Sequence, residues 1–137
     1  MKYDFYIGVD PGTTTGIAIW NKKENKFDHI YSCGILEAME RLQVYAVFGN
    51  NLFVIENPNL RKWFGNSGRE KLQGAGSIKR DYSIWLEWFE RTGCTYEAIA
   101  PKNVTTKLDA KSFMKITGYT ERTNSHARDA AMMVFKR

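Results

Sequence analysis

Four side chains of this chain could carry out chemistry together: Asp10, Glu56, His126 and Asp129. Asp10 closes the stretch Tyr3–Asp10, where Tyr3, Phe5, Ile7 and Val9 alternate with Asp4, Tyr6, Gly8 and Asp10. That is the period of a β-strand. A tight, hydroxyl-rich turn follows at once, Pro11-Gly12-Thr13-Thr14-Thr15-Gly16. A carboxylate placed there is held by rigid backbone yet open to solvent and ions, so it is worth more as a ligand than as a stabiliser. Gly8, two residues earlier, has no side chain and lets something approach that face closely.

Glu56 ends a second apolar run, Asn51-Leu52-Phe53-Val54-Ile55-Glu56. His126 and Asp129 lie on a helix expected over Ser125–Phe135, three residues apart and so on one face. Ala127, Ala130, Ala131 and Val134 form the i, i+3, i+4, i+7 stripe of its buried side. Small alanines let this helix lie close against a sheet. His126 and Asp129 are then expected near the strand ends that carry Asp10 and Glu56.

The elements that must position these groups follow an α/β order. Strands are expected at Tyr3–Asp10, Gly16–Trp20 and Phe27–Ser32, the last two joined by the polar turn Asn21–Lys26. A helix at Ile35–Val47 and a strand at Leu52–Glu56 come next. Asn57–Gly76, rich in glycine, asparagine and arginine, reads as a long loop, and such loops are usually functional or disordered. A helix at Ser77–Arg91 carries Ile78, Tyr82, Trp85 and Phe89 at helical spacing. Thr95–Ala100 is a fifth strand, stopped by Pro101. Asp109 caps a short helix, Ala110–Thr117, that ends at Gly118.

Length and composition frame that order. The chain has 137 residues, enough for one core and too few for two ordinary domains. No apolar run approaches the ~20 residues of a membrane span. The N-terminus enters a strand directly, leaving no room for a signal peptide. Cys33 and Cys94 lack metal-ligand spacing and read as free thiols, so a cytoplasmic location is expected.

The charge is uneven. Residues 1–56 carry five basic and seven acidic side chains, whereas residues 57–137 carry fifteen and eight. A basic surface beside a carboxylate cluster suits a polyanion whose phosphates are held while metal ions act on one of them. The plainer alternative is lysines that merely solvate the surface.

Several motifs in sequence order carry a resemblance. Gly8-Val9-Asp10-Pro11-Gly12, Val54-Ile55-Glu56, Gln73-Gly74-Ala75-Gly76 and His126-Ala127-Arg128-Asp129-Ala130 resemble the RuvC-type Holliday junction resolvases. Ala100-Pro101-Lys102 and Ala110-Lys111-Ser112 do so as well. The similarity spans nearly the whole chain, residues 1–137, as one nuclease domain. It implies a ribonuclease H-like fold, a five-stranded mixed sheet with helices on both faces. By the same resemblance, Asp10, Glu56 and Asp129 bind two Mg²⁺ ions, with Mn²⁺ as a substitute, at a scissile phosphodiester. Two ions ~3.5–4 Å apart stabilise the attacking water and the leaving 3′ oxygen. The implied product is a nick with a 5′-phosphate and a 3′-hydroxyl, and the implied partner is branched DNA, above all the four-way junction. Symmetric cutting of a twofold junction implies a homodimer.

The resemblance also assigns roles with alternatives attached. His126 ligates the second ion or positions and deprotonates water; otherwise it is a helix-start histidine bonded to backbone. Lys111 matches a lysine that contacts the cleaved phosphate, or is a surface lysine. Thr13 and Thr14 contact backbone phosphate or only satisfy the turn. Arg61, Lys62, Trp63, Phe64, Arg69 and Lys71 mix phosphate binders with two adjacent rings, and Lys79, Arg80 and Lys107 extend the nucleic-acid surface. Trp63 and Phe64 either stack at an opened junction centre or pack in the core. The helix face with Ile84, Trp85, Trp88 and Phe89 is a candidate dimer interface. The chain stops after the last helix, which resembles the short phage versions of the family.

Two other readings stay open. One is an RNA-processing nuclease of the same fold, and another a branched-nucleic-acid binding module that does not cut. Asp10-Pro11-Gly12-Thr13-Thr14-Thr15-Gly16 also resembles the phosphate loop of actin-like ATPases, but a second such loop and a second lobe are missing from the sequence.

Overall fold

The computed structural model describes residues 2–60, 69–101 and 108–137, with the backbone alone for 69–75. Among the described residues, five strands and four helices follow the expected order. They are β1 (Phe5–Asp10), β2 (Thr14–Asn21), β3 (Lys26–Gly34), α1 (Ile35–Val47), β4 (Asn51–Glu56), α2 (Arg69–Thr92), β5 (Thr95–Ile99), α3 (Ala110–Thr117) and α4 (Ser125–Val134), with a 3₁₀ turn at Pro58–Leu60. The strands form one mixed sheet in the order β3-β2-β1-β4-β5. β1 and β2, and β2 and β3, pair antiparallel; β1 and β4, and β4 and β5, pair in parallel. The central strand is therefore β1, the one that ends in Asp10.

Alternation along the strands divides the core in two. Ile7 and Val9 of β1, Ile17 and Ile19 of β2, and Phe53 and Ile55 of β4 pack with α1 and α2 through Ala38, Leu42, Tyr82, Trp85 and Phe89. The residues between them face the other way. Ala18, Trp20, Leu52 and Val54 meet Phe113 of α3 and Ala127, Ala130, Ala131 and Val134 of α4. Helices thus cover both faces. Every residue of the expected alanine stripe is buried, none above 1% exposed.

Two expectations are corrected. The stretch Asn57–Gly76 is not loop to its end, because α2 begins at Arg69 rather than Ser77. Arg69, Glu70, Lys71, Leu72 and Gln73 are good helix formers, and an established helix absorbs the ~1 kcal/mol that each of Gly74 and Gly76 costs. The aromatic face of α2 is also less available than its composition suggests. Trp85 and Phe89 are fully buried in the chain's own core. Trp88 packs edge-on against Phe53 with ring centroids 5.7 Å apart. Of the four, only Ile84 counts as exposed, at 37%, so the rings offer little to a second copy.

Candidate active site

Strand parity alone sends Asp10 and Glu56 to the α4 side of the sheet. Each lies two residues beyond a side chain or glycine facing α4, Gly8 on β1 and Val54 on β4. In the parallel pairing, Gly8 stands opposite Val54 and Val9 opposite Ile55. Asp10 and Glu56 are the next residues on these adjacent strands, which lie about 4.8 Å apart. Two carboxylates are thereby set side by side at one sheet edge.

α4 brings the rest of the site, and two glycines govern how near it comes. A Cβ on Gly8 would lie 2.2 Å from the carbonyl oxygen of Ala130, and a Cβ on Gly16 would lie 2.0 Å from that of His126. Contacts that short do not occur, so any side chain at either position would force the helix away. Gly16 pairs directly with Asp10 across β1 and β2. The His126 backbone therefore rests on the residue beside the catalytic candidate. Asn124 caps α4, its side-chain oxygen accepting from the Ala127 N–H at 2.9 Å. The Asn124 amide also donates to the Ser32 hydroxyl on β3.

The result is a contact between residues 116 positions apart. His126 Nδ1 lies 3.4 Å from Asp10 Oδ2. The Asp10 side chain is 15% exposed and that of His126 47%, so one is set into the sheet edge and the other faces solvent. The Asp10 carboxyl is pushed up from the ordinary 3.8 to about 6. Burial contributes most, followed by the negative charges of Asp129 and Glu56, while His126 pulls in the opposite direction. Three acids are thus close enough to oppose one another's ionisation. Among the described residues, however, no three His, Cys, Asp or Glu side chains converge into a ready-made metal cage.

The other candidate residues fall into three groups. Thr15, the buried threonine of the turn, donates to the Gly12 carbonyl at 2.8 Å and so locks the loop, whereas Thr13 and Thr14 are exposed beside Asp10. Asp109 caps α3 by accepting from the Ser112 N–H at 2.7 Å, which holds its carboxyl below the usual range. Lys111 is exposed on the first turn of α3. Lys79 and Arg80 are exposed on α2, across the sheet from α4, and Arg80 is paired with the buried Asp81 at 3.4 Å. Arg61, Lys62, Trp63, Phe64 and Lys107 lie outside the described residues, as do the side chains of Arg69 and Lys71.

Three contributors were not singled out from the sequence. Gly16 read only as the end of a turn, although a glycine opening a strand carries the same signal of close approach as Gly8. Asn124 precedes the helical pattern in the position of an N-cap, a legible signal. Arg128 gave none: it hydrogen-bonds the Leu108 carbonyl at 3.0 Å and the Thr123 carbonyl at 2.8 Å, tying the connection from α3 to the start of α4.

The sequence matches no protein-family model and no curated protein. In three dimensions it is similar to RuvC of T. thermophilus, solved in complex with a Holliday junction substrate. The similarity has a TM-score of 0.54, covers 92% of this chain and 87% of that one, and comes with 18% sequence identity. What the two share at that identity is the architecture: the chain has the α/β, ribonuclease H-like fold of RuvC, a mixed five-stranded sheet with helices on both faces.

Proposed function

We propose that this domain is a metal-dependent endonuclease that nicks branched DNA, four-way junctions among its substrates, leaving 5′-phosphate and 3′-hydroxyl ends. The observation that carries this reading is the Asp10 carboxyl, set into the sheet edge and lifted to about 6 first by burial and then by the negative charges of Asp129 and Glu56. A cluster of acids that destabilise one another in the free protein is costly without a cation, and a binding module has no use for it. The RuvC fold, and the Holliday junction held by that structural neighbour, support the choice of substrate. The basic excess after residue 56 supports a polyanionic one.

The donor types suit hard divalent ions: three carboxylates near enough to act on one another's ionisation, and an imidazole in contact with Asp10. Oxygen ligands of this kind suit Mg²⁺, which keeps waters and shares phosphate oxygens with substrate. Asp10, Glu56, Asp129 and His126 would hold two such ions, with Mn²⁺ as a substitute. Bound there, the ions would stabilise the charge that develops on the attacking and departing oxygens.

The chain's own groups do the remainder. Asp10 presents its carboxylate from the central strand, where the backbone cannot yield. His126, half exposed and in contact with Asp10, is placed to orient a water or accept its proton. Lys111 would neutralise the phosphate from the first turn of α3. Paired incisions in a symmetric junction call for a homodimer.

A cleavage assay with Mg²⁺ on labelled four-way junction, flap, linear duplex and matched RNA tests the reading, with Asp10→Asn as the control. Symmetric nicks in the junction that vanish in the variant are expected. Cutting confined to RNA would replace the substrate, and binding of branched DNA without any cutting would replace the enzyme with a binding module.

A further inference from the structure

A groove of about 410 Å³ runs beside the start of α4, walled by Ser32 of β3 and by the segment Arg122-Thr123-Asn124. It lies in the same row of the sheet as the candidate active site. Ser32 pairs with Gly16, and Gly16 pairs with Asp10. Two strand steps of about 4.8 Å put Ser32 about 10 Å from Asp10. Ser32 and Asp10 also share strand parity with residues packed under α4, so the groove opens on the face that carries His126.

The charge in this groove is not accounted for by the fold. Among the arginines whose side chains are described, all but one are held by partners within the fold. Arg41 pairs with Glu37, Arg80 with Asp81, Arg91 with Glu87 and Arg137 with Glu97. Arg128 binds backbone carbonyls of Leu108 and Thr123. Among the described residues, Arg122 is the arginine that makes neither a hydrogen bond nor an ion pair, and it is exposed.

Its backbone, by contrast, is firmly held. Thr123 is gripped by Arg128 through both its carbonyl, at 2.8 Å, and its hydroxyl, at 3.1 Å. Asn124 is fixed by its bonds to Ala127 and Ser32. The backbone that carries this unengaged guanidinium needs no ordering when an anion arrives, so only the side-chain rotamers remain to be fixed. The hydroxyl hydrogens of Ser32 and Thr123 add donors on the same wall: each oxygen accepts a bond from a neighbour, which leaves its own O–H to give.

We infer that this groove seats a backbone phosphate of the nucleic-acid strand next to the one cut, with Arg122 as the contact. The inference rests on the nuclease reading and deepens it by naming a substrate-binding residue outside the acidic cluster. Arg122 is a binding residue here. It fixes where the strand lies relative to Asp10 and takes no part in the bond-breaking step.

The test measures binding of the four-way junction to the Asp10→Asn protein without divalent ions, over a series of salt concentrations. Arg122→Ala, Arg122→Lys and Arg91→Ala are compared in that background. Arg122→Ala should weaken binding about tenfold at low salt and flatten the log–log salt slope by about 0.7–0.9, one phosphate contact. Arg122→Lys should keep most of the slope, and Arg91→Ala should change nothing. In the Asp10-containing enzyme, Arg122→Ala should raise KM with kcat little altered. Unchanged affinity, or weaker binding with an unchanged salt slope, would overturn the phosphate contact while leaving the nuclease reading intact. A protein that neither binds nor cuts any nucleic acid would overturn both.

Discussion

Replacing Asp10 by Asn should make the metal-free protein more stable while removing its activity. The Asp10 carboxyl sits at about 6 in the folded chain against an ordinary 3.8. A folded acid raised above its unfolded value binds protons more tightly in the native state, so stability falls as pH rises through the interval between the two. The full interval corresponds to about 3 kcal/mol of stability lost above pH 6. Asparagine carries no charge and escapes that cost. At pH 8, Asp10→Asn should therefore gain up to about 3 kcal/mol, or roughly 10 °C in Tm for a domain of this size. By pH 4 the gain should shrink below about 1 kcal/mol, because the folded acid is then protonated and the unfolded one only partly ionised. Thermal unfolding of both proteins at pH 4, 6 and 8 in the presence of a chelator reads the effect. Adding Mg²⁺ at pH 8 should narrow the gap by stabilising the Asp10 protein. A difference that is absent at pH 8, reversed there, or the same at pH 4 would refute the account of a self-repelling acid cluster.

Other outcomes follow from the packing of α4. Gly16→Ala would push a methyl into the His126 backbone, which a Cβ would approach to 2.0 Å. A loss of about 1–3 kcal/mol in urea unfolding is expected, along with about a hundredfold drop in cleavage as His126 and Asp129 shift from Asp10. Asn124→Ala removes the cap of α4 and should cost about 1 kcal/mol by the same unfolding measurement. The metal concentration needed for half-maximal cleavage should rise below pH 6, since protons compete for the Asp10 carboxylate; a titration at pH 5.5 and 8 checks it. Replacing Trp63 and Phe64 together by Ala should weaken junction binding more than duplex binding in gel-shift titrations, if these rings stack on an opened junction.

What the sequence disclosed was largely what repeats locally. Period-two alternation located Asp10 and Glu56 at strand ends, and the alanine stripe placed α4 against the sheet. α1 and α3 begin and end where their patterns do. Gly8 announced a close approach, and Ala130 supplies it. What stayed hidden depends on partners distant in sequence. Gly16 signals a close approach as Gly8 does, but that the backbone approaching it is that of His126 cannot be read from its own turn. Trp88 looked surplus to its helix face because Phe53, the ring that covers it, belongs to another strand. The start of α2 was missed because Gly74 and Gly76 are loop signals in isolation, and only the surrounding helix outweighs them. Arg122 resembled any other surface cation until the partners of its fellow arginines were known.

The contact between Asp10 and His126 spans 116 residues, and that separation bears on the order of events during synthesis. β1 and β4 leave the ribosome carrying Asp10 and Glu56 well before α4 exists. Until α4 docks onto Gly8 and Gly16, the nascent chain holds Asp10 and Glu56 but lacks both Asp129 and the imidazole of His126. Closing so long a stretch of chain carries a high entropic cost, which the buried alanine stripe repays only at the end. A chain interrupted before α4 would thus contain all five strands of the sheet and none of the assembled centre. Whatever chemistry the acidic cluster performs is in this way withheld from incomplete copies of the chain.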